Sequence, residues 1–141
     1  MKIILDANFS VALLDSTDSC HKSALAISDA LEQGGYELIL NNIVFYEVLT
    51  ALCRRGVKDL AEWYYNRVAE AEDVVLIYCD HALEKRAFLY FTKMSSKNVS
   101  FADCTLFATA DIHSTKYIVS FDKQLRSQKD FSIIHDPNQL S

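Results

Sequence analysis

Glycine and proline are scarce in this chain of 141 residues, with three of the first and one of the second. That scarcity leaves little room for long flexible or polyproline linkers. No low-complexity segment and no internal repeat is visible. Nothing approaches the ~20 consecutive apolar residues that cross a bilayer. The opening Met1-Lys2-Ile3-Ile4-Leu5-Asp6 is too short an apolar run for a signal peptide. A soluble, cytoplasmic protein is expected. Cys20, Cys53, Cys79 and Cys104 never fall as C-x-x-C, and the histidines are scattered, which argues against a structural zinc site. The cysteines read as buried thiols of a reducing compartment. An excess of basic charge is missing too, since the net charge is −5. Nucleic-acid binders are usually basic, so this counts mildly against that class. Two bound divalent cations would nearly cancel the excess, so charge alone leaves the question open.

What the chain does have is apolar residues, half of the total, enough for one sizeable core. Its length suits a single domain over residues 1–141. Short runs rich in β-branched residues predict strands over 2–5, 37–40, 74–78, 117–120 and 131–134. Between them, apolar spacing predicts helices over 9–14, 19–33, 43–55, 57–71, 80–92, 101–112 and 123–128. Gly34-Gly35 stops the second, Asn42 caps the third, and Asp80 caps the fifth. Strands alternating with helices imply right-handed crossovers and a central, mostly parallel sheet of four to five strands flanked by helices.

The ligand site of such a sheet lies beyond the carboxyl ends of its strands. Asp6 ends one strand and Asp122 follows another, although either can simply cap a helix or turn. The third helix carries Ile43, Val44, Val48, Ala51 and Leu52, and its spacing puts Glu47 on the same stripe, facing the core. An ionised carboxylate there costs several kcal/mol unless a cation, a salt bridge or a proton compensates it. Arg54 or Arg55 could supply the salt bridge. Asp103 shares a helix face with Leu106, Phe107 and Ala110. Ser100-Phe101-Ala102-Asp103 also fits a capping box, and both roles can coexist. Asp111, nearer the helix end, reads as solvated.

Four such acids meeting in one pocket repel and raise one another's pKa unless a cation neutralises them. All-oxygen ligation selects hard ions, Mg²⁺ or Mn²⁺. Two such ions about 4 Å apart would stabilise the attacking and leaving oxygens of a phosphodiester. Lys123, Arg126 and Lys129 could contact flanking phosphates beside Asp122, or form an ordinary solvated face. Arg54, Arg55 and Lys58 form a second basic cluster with the same two readings. Trp63-Tyr64-Tyr65 and Phe88, Tyr90 and Phe91 read as core by default, with one or two rings left for a partner surface.

Four segments in order, Ile3-Ile4-Leu5-Asp6-Ala7-Asn8, Tyr46-Glu47-Val48, Ser100-Phe101-Ala102-Asp103-Cys104 and Ser120-Phe121-Asp122-Lys123-Gln124-Leu125, resemble the motifs of the PIN domain, and within it the VapC-type toxins. The resemblance covers almost the whole chain. It implies a PIN-like three-layer α/β sandwich. It implies an endoribonuclease dependent on Mg²⁺, or Mn²⁺ as substitute, with Asp6, Glu47, Asp103 and Asp122 as catalytic, metal-site acids. Asn8 and Ser120 become polar supports, and Lys123 and Arg126 become RNA contacts. A cognate antitoxin and a homodimer are implied as well. Asn42 departs from the pattern, since the family often has Pro before the Glu-bearing helix.

Other classes compete. A phosphatase of the haloacid dehalogenase type also begins with a strand ending in Asp, but wants a second Asp where Asn8 stands. A receiver domain needs a paired acid cluster after its first strand and a Lys at a late strand end, and Lys123 is a poor match. A non-enzymatic metal- or partner-binding module would use the acids merely as caps and ion-pair partners.

Overall fold

In the computed structural model, residues 1–95 and 97–140 are described. Among these described residues five strands form one sheet: β1 (Lys2–Leu5), β2 (Glu37–Asn41), β3 (Val74–Ile77), β4 (Tyr117–Val119) and β5 (Ser132–Ile134). Among the same residues six α-helices flank it: α1 (Ala7–Leu14), α2 (His21–Gly34), α3 (Asn42–Arg54), α4 (Lys58–Glu70), α5 (His81–Lys93) and α6 (Phe101–Ile112). Short 3-10 turns follow at Lys123–Ser127 and Pro137–Leu140.

All four strand pairings are parallel and the order is β3-β2-β1-β4-β5. The chain winds outward from β1 through β2 to β3, then crosses back to β4 on the other side of β1. Right-handed crossovers put the two directions of winding on opposite faces. The place where winding reverses, between β1 and β4, is where such sheets open a crevice at their carboxyl ends. A receiver-type sheet has the order 2-1-3-4-5, so the observed order removes that alternative.

Burial explains the strands. Ile3, Ile4, Ile39, Leu40, Ile118 and Val119 are wholly buried, as central strands covered on both faces require. α6 lies on β1, β2 and β4 and packs against α5. Phe107 anchors this layer, stacked on Phe131 at 4.8 Å and tilted against Tyr90 at 5.5 Å. Gly35 ends α2 in the left-handed conformation at φ 64, which a glycine adopts without strain.

Several local expectations change. The third helix is capped by Asn41, whose side chain accepts from the Val44 N–H, while Asn42 occupies the first helical position and accepts from the Cys79 N–H at 2.6 Å. That first position suits proline, so the departure at Asn42 costs the helix start nothing. Only Cys104 is buried; Cys53 is exposed and Cys20 and Cys79 are intermediate. Tyr64 packs inward while Trp63 and Tyr65 stay exposed, as do Phe88 and Phe91 on α5. Asp111 is not free in solvent: it accepts from Arg86 and from the Tyr90 hydroxyl. Among the described residues no helix is long and apolar enough to cross a membrane.

Candidate active site

The register Ile4↔Ile118 and Leu5↔Val119 sets the ends of β1 and β4 side by side. One residue further, the Asp6 N–H donates to the Val119 carbonyl at 3.0 Å. Beyond that point β1 and β4 no longer pair, and a knot of side chains joins their ends. Ser120 Oγ donates to Asp6 Oδ2 at 2.6 Å, and Asn8 Nδ2 donates to the same oxygen at 3.2 Å and to Ser120 Oγ at 3.1 Å. Asn8 Oδ1 accepts from the Phe121 N–H at 3.0 Å, and Ser120 Oγ from the Asp122 N–H at 3.1 Å. Asp6 Oδ1 accepts from the Ala7 N–H at 2.7 Å, capping α1. Asn8 thus ties the two strand ends together with both ends of its amide.

Asp6 is buried, and every group bonded to its carboxyl is a neutral donor. Burial pushes its pKa up to about 7, against the Ser120 and Ala7 hydrogen bonds that lower it; the charges of Asp103 and Glu47 raise it further. Asp103 belongs to α6. Its Oδ2 accepts from the Ser100 N–H at 2.8 Å while Ser100 Oγ accepts from the Asp103 N–H at 3.1 Å, so the capping box forms. Desolvation raises the Asp103 carboxyl too, and the charge of Asp122 adds to it. Glu47 is raised by desolvation and by Asp103. Each of the four acids is therefore electrostatically joined to another.

Glu47 corrects an expectation. The stripe that α3 buries is Val44, Phe45, Val48 and Leu52, and Glu47 lies off it, on the exposed flank shared with Tyr46. A position one residue before Val48 is turned about 100° away from it, so it cannot share the centre of that stripe. Of the compensations open to Glu47, a salt bridge to Arg54 or Arg55 is absent among the described residues. Among the described residues the ion pairs are Arg55 with Asp15 and Asp18, and Arg86 with Asp111. Among the described residues none of Asp6, Glu47, Asp103 and Asp122 has a base for a partner. Asp122 Oδ1 accepts from the Gln124 N–H at 2.9 Å, starting the 3-10 turn, and Lys123 and Arg126 stand exposed on that turn.

The four acids do not form a ready-made ion cage. Among the described residues, no group of three His, Cys, Asp or Glu side chains is arranged to hold one metal ion. What the crevice offers is a set of carboxylate oxygens without basic partners, three of them on acids pushed toward the neutral form. Those are the donors that a hard divalent cation takes. Sequence reasoning missed the neighbouring cluster in which Arg55 Nη1 bonds Asp15 Oδ2 at 3.0 Å and Asp18 Oδ2 at 2.7 Å. Its members are 40 and 37 residues apart, and no local spacing announces them.

The profile of the PIN domain matches residues 3–130. None of the curated proteins matches the chain. Solved structures do. VapC20 of Mycobacterium tuberculosis, described as a sarcin-ricin loop cleaving toxin, superposes with a TM-score of 0.81 at 22% identity, over 94% of this chain and 98% of that one. VapBC2 of Rickettsia felis, bound to a DNA fragment from its promoter, gives 0.66 at 12% identity, over 95% and 98%. A toxin–antitoxin complex from Klebsiella pneumoniae gives 0.66 at 16% identity, over 96% and 97%. At such identities the likeness is one of fold.

Proposed function

The chain belongs to the PIN domain family, and from that premise we propose that it is a metal-dependent endoribonuclease, the toxin of a toxin–antitoxin pair, folded as one domain over residues 1–141. The observation that carries the reading is the charge balance at the crevice. Four acids from four separate stretches influence one another electrostatically, and none is matched to a lysine or arginine among the described residues. A structural carboxylate is normally paired; an unpaired set asks for a cation.

Asp6, Glu47, Asp103 and Asp122 would hold Mg²⁺ or Mn²⁺. The chemistry the ion supplies when bound is Lewis acidity, which makes a water more acidic and offsets charge on the phosphodiester. The remaining tasks fall to the chain. Ser120 and Asn8 fix the Asp6 carboxyl in one orientation, because both donate to Oδ2 while the Ala7 N–H holds Oδ1. The capping box and the 3-10 turn occupy one oxygen each of Asp103 and Asp122, leaving the second oxygen without a hydrogen-bond partner among the described residues. Lys123 and Arg126 are free to meet phosphates flanking the cut, a sequence-blind contribution to RNA binding.

The fold-mates support the partner. One is described as a sarcin-ricin loop cleaving toxin and another as a toxin–antitoxin complex. A cognate antitoxin is therefore proposed here, with a homodimer burying some of the exposed rings of α4 and α5. The cytoplasm, where such RNA resides, is the proposed compartment.

Replacing Asp6 or Asp122 with Asn and incubating purified protein with structured RNA and Mn²⁺ tests the reading. Cleavage should fall at least about 100-fold, more than the loss of an outer-shell support, while circular dichroism stays unchanged. Full activity in a folded D6N protein would refute the assignment.

A further inference from the structure

A cavity of about 360 Å³ opens beside the acid cluster and shares Asn8 and Asp122 with it. Its other walls are Asp18, Ser19, Cys20, Arg55 and Phe121, none of which the proposed chemistry uses. Arg55 is held unusually firmly for an exposed arginine. Its Nη1 meets both Asp15 and Asp18. Those carboxylates are themselves tied: Asp15 Oδ1 accepts from Thr17 N at 3.0 Å and Thr17 Oγ1 at 2.7 Å, and Asp18 Oδ1 accepts from Cys20 N at 2.8 Å. His21 Nδ1 lies 2.7 Å from the Ala12 carbonyl, anchoring this loop to α1. All this engages one guanidinium nitrogen. Nε and Nη2 have no hydrogen-bond partner among the described residues, so half of the planar fork is fixed in place and unspent.

The charges decide what such a fork can take. Asp15 and Asp18 pair with this single arginine and Asp122 lines the same cavity, so an anionic phosphate would meet net repulsion. A neutral group with two adjacent acceptors would not. The Hoogsteen edge of guanine offers that pair, O6 and N7, whereas adenine presents a donor beside its N7. Phe121, leaning on Phe9 at 6.3 Å between ring centres, supplies an aromatic wall on which a base can stack.

Resting on the ribonuclease reading, we propose that this cavity is a base-recognition pocket, in which Arg55 reads a guanine of the RNA within two nucleotides of the bond that is cut. Asp15 and Asp18 are positioning residues for the guanidinium. Phe121 is the stacking surface.

The test uses the full chain in two assays. The first maps cuts in a random-sequence RNA pool with Mn²⁺. Wild type should show guanine enriched at one fixed position near the cut, and R55K, which keeps the charge and the ion pairs but not the fork, should lose about tenfold of that preference. The second measures fluorescence anisotropy of labelled octaribonucleotides that differ by one G-to-A change, in EDTA. Wild type should bind the guanine form about tenfold more tightly, R55K should bind both alike, and F121L should weaken both. A wild type that prefers another base or none, or an R55K protein that keeps the full preference, overturns the pocket. If wild type cuts no RNA at all, the ribonuclease reading fails, and the metal-free anisotropy still decides for or against Arg55.

Discussion

Asp6 and Asp15 lie nine residues apart and are equally hidden, each 6% exposed. They bracket helix α1, one at each cap. Their carboxyls nevertheless sit at opposite ends of the scale. Asp15, bonded to Thr17 and to the Arg55 guanidinium, is held down at about 2. Asp6, bonded only to neutral donors and facing other acids, is pushed up to about 7. Exposure alone does not separate them: desolvation dominates at Asp6, while at Asp15 the bonds from Thr17 and Arg55 outweigh it. Asp15 behaves as part of the scaffold, because the chain itself supplies the compensating charge. Asp6 receives no compensating charge from the chain, the pattern expected of a functional position.

The comparison is broken most decisively by adding metal. A raised carboxyl contributes stability below its unfolded value and loses it as pH climbs through the folded one, so metal-free protein should melt at lower temperature at pH 8 than at pH 5. Saturating Mn²⁺ at pH 8 should restore roughly 10 °C by linkage. Calorimetry showing the same melting point with and without the ion would place Asp6 with the scaffold acids. Amide substitution sharpens the contrast next. D6N removes an uncompensated charge and should raise the metal-free melting point at pH 8 by a few degrees, whereas D15N should lower it by a similar amount. The D15N deficit should vanish as pH falls toward 2, because a depressed carboxyl gives its stability only above its unfolded value. Thermal scans across pH check both signs. S120A removes the hydroxyl that both orients Asp6 and accepts from Asp122, and should slow cleavage about tenfold in initial-rate assays with little loss of fold. The smallest effect belongs to the exposed cations. K123A combined with R126A should weaken binding of every RNA alike and flatten the salt slope by about two, read from anisotropy titrations in rising salt.

The alternation of strand and helix was legible from apolar spacing, as were Asp6 and Asp122 beyond strand ends, the Asp80 cap and the Ser100–Asp103 box. Each of those signals is local: a residue and its neighbours within a turn carry it. Glu47 was misplaced because Ile43, Val44, Val48, Ala51 and Leu52 trace a broad stripe whose centre only tertiary contacts fix. Phe45, packed against Tyr64 at 5.6 Å, pulled that centre away from Glu47. The choice between Asn41 and Asn42 as cap depended on where β2 ended, and β2 runs one residue further than its apolar run. The Asp15–Asp18–Arg55 cluster and the Asn8 bridge were illegible because they join distant segments through side chains, which no periodicity encodes.

The hydrogen bond from Ser120 to Asp6 spans 114 positions. During translation, at about 5–20 residues per second, the first acid leaves the ribosome many seconds before its support is made. A nascent polypeptide therefore carries three of the four acids before Ser120 exists to orient the first, and the crevice closes only as synthesis nears its end. Long-range closure of this kind is slow to search for and hard to achieve by accident.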